Sequence, residues 1–137
     1  MGAVIDTDVL IDLERTNTAE ALNDDVSLPS GELRVSLVSI AELQMGVEFA
    51  DTSERRAARE AYLRFVSRNY LVEPITREVA QRAGKLFAEL RVRKRGIGAH
   101  DVWIAAYALC LDEPVVTANW KHFTQVLGLK IIPWTKR

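Results

Sequence analysis

The chain predicts an α/β fold with a mainly parallel sheet and helices on both faces. Three observations carry that reading. Short, β-branched apolar runs recur at Val4-Ile5, Leu33–Val38, Leu71-Val72, Val115–Thr117 and Ile131-Ile132. Helix-like stretches separate them, and strands alternating with helices fold as right-handed crossover units. The chain has 137 residues, 48% of them apolar, which suits one core without covalent staples. One domain over residues 1–137 is expected.

Val4-Ile5 reads as the first strand, ending in Asp6. Thr7 to Arg15 reads as a helix, with Val9, Leu10 and Leu13 apolar and Asp12, Glu14 and Arg15 polar. A second short helix is expected over residues 18–25, closed by Pro29 and Gly31. Leu33–Val38 alternates and reads as a strand. Ser39 with Glu42 three residues on has the capping-box pattern, so a helix is expected from Ser39 to about Ala50. Ser53 opens another, with Ala57, Ala61, Leu63, Phe65 and Val66 on its apolar face. Leu71-Val72 is a short strand stopped by Pro74. Thr76 caps a long helix to about Arg95, ended by Gly96 and Gly98. A helix over 100–112, the strand Val115–Thr117, a short helix or turn over Lys121–Leu127 and the strand Ile131-Ile132 complete the chain.

The formal net charge of −1 provides no global attraction to nucleic acid, so any such contact needs a local patch. The single cysteine, Cys110, sits in an apolar run and reads as a small buried hydrophobe. No apolar run approaches the ~20 residues of a membrane span, and no signal sequence is evident. A cytoplasmic protein is expected.

Four polar residues share one placement. Asp6 ends the first strand, Glu42 follows the second, Asp101 opens a helix after Gly96-Ile97-Gly98, and Asn119 follows Val115–Thr117. In open parallel sheets, sites form outside the carboxyl ends of the strands. Each residue also has a local role open to it. Asp6 can cap the next helix, Glu42 can complete a capping box, Asp101 can complement a helix dipole, and Asn119 can serve a turn. Convergence adds a stronger reading. Three carboxylates in one cleft repel unless protonated or paired with a cation. Oxygen ligands of this kind suit Mg²⁺ or Mn²⁺, which can activate water and stabilise a phosphoryl oxygen.

Val4–Ile11, Ser39–Gly46, Ala99–Ala108 and Val116–Asn119 with His122-Phe123 resemble, in order and spacing, the four motifs of PIN-domain ribonucleases. In particular the chain resembles the VapC-type toxins of toxin–antitoxin pairs. The resemblance implies a three-layer α/β/α sandwich and a Mg²⁺- or Mn²⁺-dependent endoribonuclease that cuts RNA. Carried over by position, it implies a catalytic set of Asp6, Glu42, Asp101 and Asn119, with Asp6 and Asp101 as metal ligands. Asp8 is then a group that orients Asp6 or a bound water, with the Thr7 and Thr117 hydroxyls as weaker supports and a plain capping role favoured for Thr7. Many relatives carry Asp where this chain has Asn119, which brings no charge and puts a tightly bound second metal in doubt. The resemblance also implies a VapB-like antitoxin and a homodimer as partners, and no membrane.

Arg91, Arg93, Lys94 and Arg95 precede Asp101 and suit either RNA phosphates or the dipole of a helix end. Trp103 and Tyr107 suit the core or a dimer contact. Trp120 and Trp134 suit packing over base stacking, and His122 a structural or surface role. Two rivals exist: a PIN scaffold that binds RNA or protein without cutting, and a haloacid-dehalogenase-type phosphatase. The second needs an acid pair after a late strand, where this chain has Thr117-Ala118-Asn119.

Overall fold

A computed structural model describes residues 2–16, 28, 31–94 and 96–135. The helix expected over 18–25 and Arg95 of the basic segment lie outside them. The described residues form β1 (Ala3–Ile5), α1 (Thr7–Thr16), β2 (Leu33–Ser36), α2 (Leu37–Glu48), α3 (Ser53–Asn69), β3 (Leu71–Glu73), α4 (Arg77–Val92), α5 (Ala99–Leu111), β4 (Val115–Thr117), α6 (Trp120–Phe123) and β5 (Ile131–Pro133). The strands pair in parallel throughout, in the order β3-β2-β1-β4-β5.

Strand alternation sorts the core into two layers. Val4, Val115 and Ile131 face α4, α5 and α6, against Leu86, Ala105 and Phe123. Ala3, Ile5, Val35 and Val116 face α1, α2 and α3, against Leu10, Leu43 and Val66. One residue of register shift would exchange these sets, so burial on both faces fixes the register. The result is the expected three-layer α/β/α sandwich.

The strand order reverses direction between β1 and β4. From β1 the chain winds outward through β2 to β3, then returns to β4 and β5 on the other side. Such a switch point leaves a crevice outside the strand ends, where ligands bind in open α/β sheets. Asp6 and Asn119 leave the sheet on either side of it.

Several boundaries differ from expectation. The second strand stops at Ser36, whose side chain accepts from the Ser39 N–H at 3.2 Å and so caps α2. Satisfying that otherwise orphaned donor starts the helix before Ser39. Ser39 is therefore inside the helix and fully buried, and Glu42 lies in its second turn rather than in a capping box. The fourth helix ends at Val92, and Lys94 is left-handed with φ 56°, which closes it before Arg95. Tyr107 is buried and donates to the Glu73 carbonyl at 3.0 Å, so it belongs to the core and not to a dimer face. Trp103 packs half-buried beside the same core, and Cys110 is half-buried rather than enclosed. Trp134 is buried and donates to Asp12 at 3.0 Å, as packing requires. Trp120 is 43% exposed, against the expectation of packing.

Candidate active site

Asp6 is placed by β1, whose register against β4 is fixed by the Asp6 N–H donating to the Val116 carbonyl at 2.9 Å. Its carbonyl opens α1, but its carboxylate does more than cap. Oδ1 accepts from the Thr7 N–H at 2.8 Å, and Oδ2 accepts from the Thr117 hydroxyl at 2.7 Å. Thr117, fully buried at the end of β4, also accepts from the Asn119 N–H at 2.9 Å. One hydroxyl thus ties Asp6 to the segment that carries Asn119.

Thr7 has a role that capping does not describe. Its hydroxyl donates to Glu42 Oε1 at 2.7 Å and touches the Ser39 hydroxyl at 2.7 Å. A threonine hydroxyl has one proton, so Ser39 donates to Thr7 and Thr7 to Glu42. The other Glu42 oxygen, Oε2, lies 3.3 Å from His100 Nδ1. Asp101, in the first turn of α5, has Oδ2 3.5 Å from the Asn119 amide nitrogen and 3.5 Å from His122 Nδ1. Asn119 Nδ2 lies closer to His122 Nδ1, at 2.8 Å. The Asn119 amide thus stands between Asp101 and His122. Asp8 accepts weakly from the Ala118 N–H, at 3.5 Å.

The electrostatics follow from this crowding. Burial, then the charge of Asp8 and to a lesser extent that of Asp101, push the Asp6 carboxyl up to about 8, against the opposing Thr117 hydrogen bond. Burial also raises Asp101, with the Glu42 and Asp8 charges adding to it and His122 opposing. Among the described residues, no Lys or Arg forms an ion pair with Asp6, Asp8, Glu42 or Asp101. Among the described residues the cluster is thus crowded with carboxyl groups whose ion-pair partners are histidines rather than Lys or Arg.

No three acidic, histidine or cysteine side chains among the described residues stand close enough to cage an ion unaided. Mg²⁺ does not need such a cage. It keeps several waters and binds through one or two carboxylates together with substrate phosphates. The uncompensated, upshifted Asp6 beside Asp101 fits that mode of binding.

Sequence reasoning missed Ser39 and His100 and set His122 aside. The chain has two histidines, and each lies within 3.5 Å of a cluster carboxylate. His100 adjoins Asp101 in sequence, which is the signal that was available. The basic segment stands at the end of α4 that leads directly into α5 and Asp101. There the Arg93 guanidinium donates to the Gln125 carbonyl at 3.0 Å.

A three-layer sandwich with acids gathered at its switch point is the architecture expected of a PIN domain, and the family model described as PIN domain matches residues 3–127. Ribonuclease VapC1 of Haemophilus influenzae (strain R2866) is 30% identical over 135 residues, covering 97% of this chain and 98% of that one. The tRNA(fMet)-specific endonuclease VapC of Shigella flexneri is 29% identical over 132 residues, covering 96% and 97%. The solved structure of VapBC-1 from nontypeable Haemophilus influenzae superposes with a TM-score of 0.84 at 28% identity, covering 99% of this chain and 100% of that one. The chain belongs to the PIN-domain family, and within it to the VapC ribonucleases. That membership sets aside the phosphatase alternative. No helix among the described residues is long and apolar enough to cross a membrane.

Proposed function

We propose that this ribonuclease is a divalent-metal-dependent endonuclease, the toxin of a toxin–antitoxin pair, acting on RNA in the cytoplasm. The observation that carries the reading is the convergence of Asp6, Asp8, Glu42 and Asp101 at the switch point, where no Lys or Arg among the described residues pairs with them. In this reading Asp6 and Asp101 hold Mg²⁺, for which Mn²⁺ substitutes. The ion, when bound, supplies Lewis acidity at the phosphodiester and offsets the carboxylate charge.

The chain's own residues do the positioning. The Thr7 N–H and Thr117 O–H fix both oxygens of Asp6, so that its orientation is set before substrate arrives. The Ser39–Thr7 relay holds Glu42. Asn119, its amide hydrogens directed at His122 and Asp101, offers its carbonyl oxygen as a neutral acceptor or ligand. Asp8 adds charge beside Asp6 and orients water. The reaction is hydrolysis: the water oxygen joins phosphorus, one P–O ester bond breaks, and the leaving ribose oxygen takes a proton.

An antitoxin of the VapB type is the expected partner, since a solved neighbour of this fold is a member of the VapBC family of toxin-antitoxin systems. Transfer RNA is the first substrate class to try, because a 29% identical relative is named for tRNA(fMet). The test is cleavage of transfer RNA by purified protein with Mg²⁺, with Mn²⁺ and with EDTA. Cleavage that needs the metal and is lost in Asp6→Ala is expected. RNA binding with no cleavage under any metal would instead make this a non-cutting PIN scaffold.

A further inference from the structure

The acid cluster poses a problem for its own substrate. An RNA strand brings phosphates to a site that repels them, and the net charge of −1 offers no long-range attraction. Binding must be supplied at the rim. Of the three tryptophans, Trp134 is buried and Trp103 packs beside the core, but Trp120 is 43% exposed. Its α6 neighbour Phe123 and the following Val126 take the interior positions instead. Among the described residues the Trp120 indole makes no hydrogen bond. Its recorded partner is Lys121, whose Nζ lies 5.7 Å from the ring centroid.

Position gives this exposed ring a use. Trp120 directly follows Asn119, whose amide is 3.5 Å from Asp101 Oδ2. Consecutive Cα atoms are about 3.8 Å apart, so the backbone of Trp120 adjoins the residue that reaches Asp101, and its exposed ring opens to solvent from that segment. The Lys121 ammonium lies near the ring's electron-rich face, so the exposed indole carries a cation beside it. An indole with a cation beside it, next to the point of cleavage, has the chemistry of a single-strand binding platform. Aromatic faces stack on any base, and cations track the backbone.

We infer that Trp120 is the stacking platform for the nucleobase flanking the scissile phosphate, with Lys121 holding the adjoining phosphate. The inference rests on the RNA-cleaving reading above and names a subsite within it. A protein partner on the same ring is the competing occupant. The RNA strand is favoured because Trp120 directly follows Asn119, whose amide approaches Asp101 at 3.5 Å.

The test uses the full chain and a short single-stranded RNA whose cleavage point has been mapped, plus the same RNA with an abasic nucleotide on either side of that point. Stacking on an aromatic is typically worth about 1–3 kcal/mol per base, which is about a 5- to 150-fold change in affinity. Trp120→Ala is expected to raise KM and Kd by that factor with little change in kcat, and Trp120→Phe to retain most of the affinity. On the abasic RNA the penalty of Trp120→Ala should vanish. Binding is also measured in the Asp6→Asn background with EDTA, so failure of cleavage and failure of stacking are separable. Equal affinity of Trp120→Ala and the parent for intact RNA overturns the inference. So does a penalty that persists on the abasic strand, or one confined to antitoxin binding.

Discussion

Asp6→Asn tests whether a buried, crowded carboxylate lies at the centre of this site. Asp6 is 4% exposed, and burial with the neighbouring carboxylates moves it from 3.8 to about 8. In the unfolded chain it ionises near its ordinary value. Between those two values the folded protein keeps a proton that the unfolded chain has released. Stability of the metal-free protein therefore falls as pH rises through that window, by about 1.4 kcal/mol per unit for this group. At neutral pH the accumulated loss is at most about 4 kcal/mol. Asn has the same shape without the titration. Its carbonyl can still accept from the Thr7 N–H, and its NH₂ can donate to the Thr117 hydroxyl. After allowance for imperfect replacement of those bonds, the variant should be about 2–4 kcal/mol more stable than the parent at neutral pH and nearly equal to it near pH 4. Urea unfolding of EDTA-treated protein across this range measures the difference. Excess Mg²⁺ should then raise the stability of the parent more than that of Asp6→Asn, which should not cleave RNA. Parallel stability curves for the two metal-free proteins would refute the reasoning.

Other expectations follow from the same geometry. Asp101→Asn should abolish cleavage in a transfer RNA assay while melting no lower than the parent without metal, because it removes charge from a group already shifted upward. Asn119→Asp should lower the Mg²⁺ needed for half-maximal cleavage, since Mg²⁺ binding depends on ligand charge; an unchanged Mg²⁺ dependence would place Asn119 outside the metal site. Changing Arg91, Arg93, Lys94 and Arg95 together to Ala should flatten the slope of RNA affinity against salt, and an unaltered slope leaves them a helix-end role. Light scattering over a wide concentration range should report a homodimer, and a monomer throughout would reject it for the isolated chain.

Of the candidate site positions, Asp6 and Asn119 were legible because each sits where local pattern and topology coincide. Apolar β-branched runs mark strands, and polar residues at their ends mark the edge of a sheet. What was not legible is how those residues are held. Thr7 looked like a cap because its neighbours in sequence offer capping, but its partners are Ser39 and Glu42, more than thirty residues away. Ser39 looked like a cap because the alternation of Leu33–Val38 hid the end of the strand at Ser36. Both serines can satisfy an orphan N–H, and local pattern does not choose between them. The same limit applied to the aromatics. Tyr107 and Trp120 both sit in helices beside site residues, yet one is buried on a main-chain carbonyl and the other left half in water. Packing in three dimensions, rather than helix period, decides such cases.

Placement of charge explains why the site was recognisable at all. Elsewhere on the sheet Arg34 is paired with Glu113, at 3.0 and 3.1 Å, and with Glu73, joining β2, β3 and the approach to β4. There a cation stabilises the carboxylates, and the group ties strands together. At the switch point Asp6 is held by the Thr7 N–H and Thr117 hydroxyl, Glu42 by the Thr7 hydroxyl and Asp8 by the Ala118 N–H, with His100 and His122 beside Glu42 and Asp101. Neutral donors fix orientation without cancelling charge. A carboxylate cluster held this way retains its field for an ion from outside, at the cost of the upward shift at Asp6. An Arg beside Asp6 would relieve that cost and cancel the field.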